Sequence, residues 1–219
     1  MKANIKGGHA FSYVEIELEP GESLLTEPDA MSSMDASLDL TAHFNGGLIQ
    51  GLLRKYLGDE SLFISRFKNA TSSARRINIV QPTPGEILCR ELNDEVYYLQ
   101  PGAFLACEEG VKIGLGFAGF ASWVAREGLF RIKVSGNGKV WFGAYGALLE
   151  KEVNGEYIVD TSHLVAYEPS LRLNLQLAGG LFSSFFGGEG LVTRVSGKGK
   201  IIIQTRSISS LTGWLNPKL

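Results

Sequence analysis

Residues 187–207 read GGEGLVTRVSGKGKIIIQTRS, two apolar-rich runs on either side of a Gly-rich centre. The pattern predicts a turn, a strand, a hairpin carried by SGKG and a second strand, because glycine readily takes the positive φ of tight hairpins. A near copy, REGLFRIKVSGNGKVWFG, occupies 126–143, and a fainter one, DESLFISRFKNATSSARRINI, occupies 59–79. Repetition of this kind marks a supersecondary unit that cannot bury its apolar face alone and shares a core with its neighbours.

Upstream of each copy lies a second matching segment: LEPGESLLTE from Leu18, LQPGAFLACE from Leu99 and VDTSHLVAYE from Val159. Their last residues, Glu27, Glu108 and Glu168, are thereby predicted to be equivalent. A carboxylate present in every copy reads as structural rather than as half of a unique acid/base pair. The first copy carries about a dozen extra residues between its two markers. Val14, Ile16 and Leu18 alternate with Glu15, Glu17 and Glu19, the period of a half-buried strand. With 27 glycines in 219 residues, many tight turns are expected. Turn and polar residues at QPTPGE and LEKEVNGE divide the chain into repeats over 1–80, 81–148 and 149–219.

Inside each repeat sits a Gly-flanked apolar segment, beginning at 46, 116 and 179. The spacing of Leu48, Ile49, Leu52, Leu53, Tyr56 and Leu57 predicts one face of a short helix, with Arg54 and Lys55 opposite. Exposed together, Leu52, Leu53, Trp123, Phe185 and Phe186 would form an apolar patch that needs covering. They are expected to cover one another in a shared core or at an oligomer axis. The sharper alternative is a membrane surface or partner protein, with Arg54 and Lys55 at the lipid headgroups. The tail ISSLTGWLNPKL is expected to dock by Leu211, Trp214 and Leu215 onto the body or a neighbour.

Charge excludes a whole-molecule field for nucleic acid or anionic lipid, since 21 basic residues face 23 acidic ones. A local basic edge remains open to RNA: Arg75, Arg76, Lys139, Lys198 and Lys200 lie in or beside the repeated strands. No Lys/Arg run there interleaves with stacking aromatics. Two cysteines, Cys89 and Cys107, are too few for a disulfide framework, and three dispersed histidines do not make a metal set. No Gly-x-Ser-x-Gly elbow, P-loop or dinucleotide fingerprint is present. No enzyme activity, cofactor or metal is therefore expected. The N-terminal residues show neither a secretory h-region nor an Arg-rich amphipathic segment, so a cytoplasmic location is expected.

The segments LEPGESLLTEPDAM, GGLIQGLLRKYLGDESLFISRF and GGLFSSFFGGEGLVTRVSGKGKIIIQTRS together resemble the Altered Inheritance of Mitochondria protein 24 family, from about Phe11 to Ser207. The resemblance implies an all-β fold of three consecutive domains similar to the trp RNA-binding attenuation protein (TRAP-like) and related to the double-stranded β-helix. It also implies a homotrimer. With the short helical insertions read above, the expected protein is a non-enzymatic oligomeric scaffold or interaction protein. A TRAP-like ring binding RNA or a small ligand is the alternative.

Overall fold

The computed structural model describes residues 1–44, 63–117, 130–177 and 191–216. The predicted helical insertions, with Leu52, Leu53, Arg54, Lys55, Trp123, Phe185 and Phe186, lie outside the described residues. What is described is nearly all strand. In chain order these are β1 (Lys2–Lys6), β2 (Tyr13–Leu18), β3 (Ser23–Thr26), β4 (Met31–Met34), β5 (Asp39–Phe44), β6 (Phe63–Lys68) and β7 (Arg75–Val80). There follow β8 (Ile87–Leu99), β9 (Phe104–Glu108), β10 (Val111–Phe117) and β11 (Phe130–Gly143). The last are β12 (Leu148–Asp160), β13 (Leu164–Tyr167), β14 (Arg172–Leu177) and β15 (Leu191–Gln204), before one helix, α1 (Ile208–Leu215).

All ladders between these strands are antiparallel. A four-stranded sheet runs β1-β2-β7-β4, and a larger one runs β12-β15-β13-β8-β11-β9-β3-β6-β5, with β10 on β11 and β14 on β15. The alternation read in β2 is observed: Val14, Ile16 and Leu18 are buried and the residues between them are not. It follows from the two-residue period of a strand with one face on the core.

One pairing scheme occurs along each long strand. β11 pairs with β8 along one edge; along the other, its first half pairs with β10 and its second half with β9. β15 is held in the same way by β12, β14 and β13. In the N-terminal segment both long strands are broken in two. β2 and β3 run along β7 and β6 on one side, and β5 and β4 take the other.

The stretches SGNG and SGKG are not hairpin turns, as the sequence suggested. They lie inside β11 and β15, each an unbroken strand of 14 residues. Their glycines serve instead the place where the strand changes partner. Gly136 has φ 104, and a Cβ there would meet the Gly110 carbonyl oxygen at 2.6 Å. Positive φ and close backbone approach need the same residue in a turn and in a strand crossing, which is why the two look alike in sequence.

The carboxylates also shift by one element. Glu108 Oε2 accepts from the Lys139 N–H at 3.0 Å, and Glu168 Oε2 from the Lys200 N–H at 3.0 Å. The third member is Asp35, whose Oδ2 accepts from the Arg76 N–H at 2.8 Å. Glu27, the predicted equivalent, lies instead at the end of β3. The residue three beyond each clamp, Leu38, Val111 or Leu171, is buried, which fixes the alignment.

Replacing Gly136 by alanine puts a Cβ against a backbone oxygen that cannot swing away. The variant is expected to lose about 2–3 kcal/mol, read as a lower urea midpoint with an unchanged slope.

Candidate interaction surface

The segments meet by strand edges, and the register is the same at both internal junctions. The end of β3 pairs with β9, placing Leu25 opposite Cys107 and Thr26 opposite Ala106. The end of β8 pairs with β13, placing Tyr98 opposite Tyr167 and Leu99 opposite Ala166. In each acceptor strand the pairing skips one residue, a β-bulge at Leu105 or Val165. The bulged carbonyl accepts from the residue just after the donor strand: Glu27 N–H to Leu105 O and Gln100 N–H to Val165 O, both 2.8 Å. Bulges release a backbone group from its own ladder, and here the next segment takes it up.

Side chains complete the second junction. Arg90 lies 5.5 Å over the Tyr97 ring and forms an ion pair with Glu150 across the boundary. The Tyr97 hydroxyl donates to Glu168 Oε1 at 3.2 Å, and burial pushes its pKa up to about 12, so it remains a donor. Tyr98 stacks on Tyr167 with ring centroids 5.2 Å apart. Cores cross these boundaries as well: Leu105, Ala106 and Trp141 pack into the cluster of Val14, Ile16 and Ile77. Val165, Ala166 and Ile202 likewise close the cluster around Leu92, Leu99 and Phe142.

Two strand edges of the same kind are open. Among the described strands, β12 ends one sheet and pairs only with β15, while β4 ends the other and pairs only with β7. On β12, Tyr157 is 37% and Ile158 53% exposed, whereas Tyr97 at the matching place is 6% exposed. Beside β4 lies a groove of about 510 Å³ whose wall includes Tyr13, Ser32, Asn78 and Val80. Helix α1 has no fully buried residue: Leu211 and Leu215 are each 38% and Trp214 60% exposed.

The five basic residues proposed for RNA fall in two classes. Arg76, Lys139 and Lys200 hold the matching clamp positions, while Arg75 and Lys198 lie just before them. Their charges are partly committed: Arg76 Nε lies 3.2 Å from Glu17, and Lys200 Nζ lies 2.9 Å from Glu150. Lys200 and Arg90 hold the Glu150 carboxyl below its ordinary range. The Arg75 side chain donates to the Ala74 carbonyl, and Lys198 is exposed. Among the described residues no three His, Cys, Asp or Glu side chains cluster as metal ligands. His163 Nδ1 is 2.7 Å from the Gln204 carbonyl, and His9 pairs with Glu86. Burial pushes the Cys107 thiol far up. No described helix is long and apolar enough to cross a membrane.

The family model described as mitochondrial biogenesis AIM24 matches residues 3–206. The chain belongs to this family. An AIM24-family relative, an uncharacterized protein of Streptococcus pyogenes serotype M6, is 27% identical over 98% of this chain and 90% of its own length. A crystal structure of a Streptococcus pyogenes protein, also 27% identical, covers 100% of this chain and 99% of that one with a TM-score of 0.81. The chain thus shares its whole architecture with that AIM24-like structure.

Sequence reasoning missed Tyr157, Ile158 and the β4 edge. A signal was present in the charges: Glu150, Lys151 and Glu152 guard one half of β12, while Tyr157–Val159 carries none.

Glu27 supplies a pH test of the first junction. Burial, then the neighbouring Asp29 charge, raise its pKa to about 7. The folded state therefore holds a proton that the unfolded chain releases near the ordinary carboxylate value, and stability falls as pH rises between the two. Glu27→Gln is expected to gain about 1–2 kcal/mol at pH 8 and nothing at pH 4, measured by urea midpoints at both pH values.

Proposed function

We propose that the protein is a non-enzymatic scaffold that works as a homo-oligomer, a homotrimer by its resemblance, in the cytoplasm. Its three TRAP-like repeats over 1–80, 81–148 and 149–219 form one continuous platform. The observation that carries this reading is the apolar stretch Tyr157–Val159 near the end of β12, between Glu156 and Asp160, which exposes Tyr157 and Ile158 at an edge whose counterparts are covered. An apolar unpaired edge of this kind is a template for another chain. The exposed apolar residues of α1 supply a second surface, for a protein partner or a membrane face.

Sedimentation velocity tests the reading. A mass of several chains at micromolar concentration is expected, and a monomer at every concentration would overturn it. RNA binding is the lesser reading, because Arg76 and Lys200 face carboxylates rather than an open groove. A fluorescent 20-nucleotide single-stranded RNA is expected to show no saturable binding at about 50 mM salt. Tight binding with a steep salt slope would reverse the order of the two readings.

A further inference from the structure

From the two internal junctions we infer a third, between copies of this chain: the end of β12 in one copy adds to β4 of the next. The inference rests on the oligomeric reading above and specifies its interface.

Register supplies the placement. Thr26, Leu99 and Val159 occupy one position in the scheme, opposite Ser65, Ile132 and Thr193. Met34, Cys107 and Tyr167 occupy another, opposite Ile77, Val140 and Ile201. β4 carries the same bulge as β9 and β13, with Ser32 skipped where they skip Leu105 and Val165. Continuing the scheme sets Ile158 opposite Met34 and Val159 opposite Ser33. The Asp160 N–H then meets the Ser32 carbonyl, as Glu27 meets Leu105 and Gln100 meets Val165.

The side chains at the open ends repeat those of the second junction. Lys151 lies 5.5 Å over the Tyr157 ring, as Arg90 lies over Tyr97. Glu15 stands where Glu150 receives Arg90, since Glu15 faces Asn78 on β7 as Glu150 faces Ile202 on β15. Asp35 stands where Glu168 receives the tyrosine hydroxyl. The joined pair therefore gains a Lys151–Glu15 ion pair, a Tyr157 to Asp35 hydrogen bond and an Ile158–Met34 contact. Exposure agrees: Ser32 and Ser33 are exposed, whereas Leu105, Ala106, Val165 and Ala166 at the matching places are at most 2% exposed.

The third junction is also more polar. Ser32, Ser33 and Asn78 replace Leu105, Ala106 and Trp141 of the first and Val165, Ala166 and Ile202 of the second. A polar face keeps the free chain soluble and makes the joint reversible. The contact is head-to-tail, so it closes into a ring or runs on as a filament.

The test uses two blocked chains, Ile158→Asp for the β12 end and Ser33→Arg for the β4 end. Light scattering is expected to show a multiple of the chain mass for the unsubstituted protein and one chain for each variant alone. An equimolar mixture should give a dimer of two chains, because one intact end of each kind remains. Variants that retain the full oligomer mass would overturn this interface while leaving the scaffold reading standing. A monomeric unsubstituted protein would overturn both. Monomeric variants that do not pair when mixed would overturn the head-to-tail geometry. Should either variant fold poorly by circular dichroism, Ser33→Cys and Val159→Cys are combined in a Cys89→Ser chain. Oxidation should then link copies to each other, and absence of inter-chain links overturns the proposal.

Discussion

A strand that changes partners halfway leaves a backbone N–H with no ladder to enter, and in this protein a carboxylate fills that gap. Lys139 in β11 lies between the half held by β10 and the half held by β9, and its N–H reaches the Glu108 side chain. Lys200 and Arg76 are held in the same way by Glu168 and Asp35. Two of these contacts are reciprocal: the Glu168 N–H donates to Lys200 O and the Asp35 N–H to Arg76 O. A backbone donor without a partner costs about 1–3 kcal/mol when buried; the Lys139 and Lys200 clamps are half-buried and the Arg76 clamp is exposed, so the carboxylate eases the crossing most in the two later segments. The crossing in turn lets one long strand serve two sheets' worth of neighbours.

Once the long strand can do this, each segment has one edge to offer and one to accept. The interior follows from that arrangement. The cluster around Ile16 needs Trp141 from the next segment, and the cluster around Leu99 needs Ile202. The cluster at the C-terminal end, with Val153, Val195 and Ile201, draws on no later segment. Its outer margin carries Leu149 and Ile158 in solvent. Segment boundaries are therefore joints within shared cores rather than linkers between independent bodies.

How much of this the sequence disclosed depended on what each residue type can mean. The strand alternation of β2 was plain because only one face of it is apolar. Glu108 and Glu168 could be matched because the residues around them are alike in size and polarity. The N-terminal counterpart was misassigned to Glu27, since PGESLLTE mimics PGAFLACE in composition. The true match, SSMDASLDL, shares little beyond the carboxylate and the buried Leu38. A break at Glu19–Glu22 splits β2 from β3, so the spacing that aligns the other two copies fails there. SGNG and SGKG misled for a different reason: a turn and a strand crossing demand the same backbone freedom, and sequence does not say which.

The open ends were invisible for a reason of chemistry rather than alignment. A residue that waits for a partner in another copy must also tolerate water, so Ser32, Ser33 and Asn78 look like ordinary surface. Only their position, read against Leu105, Ala106 and Trp141, places them in the proposed interface. The neighbouring Lys151 and Glu15 show the same compromise. Glu15 already pairs with Lys6 at 2.7 Å on the exposed face of the sheet, and an exposed pair of this kind is worth little. At the proposed joint, exchanging it for Lys151 of another copy would therefore cost little.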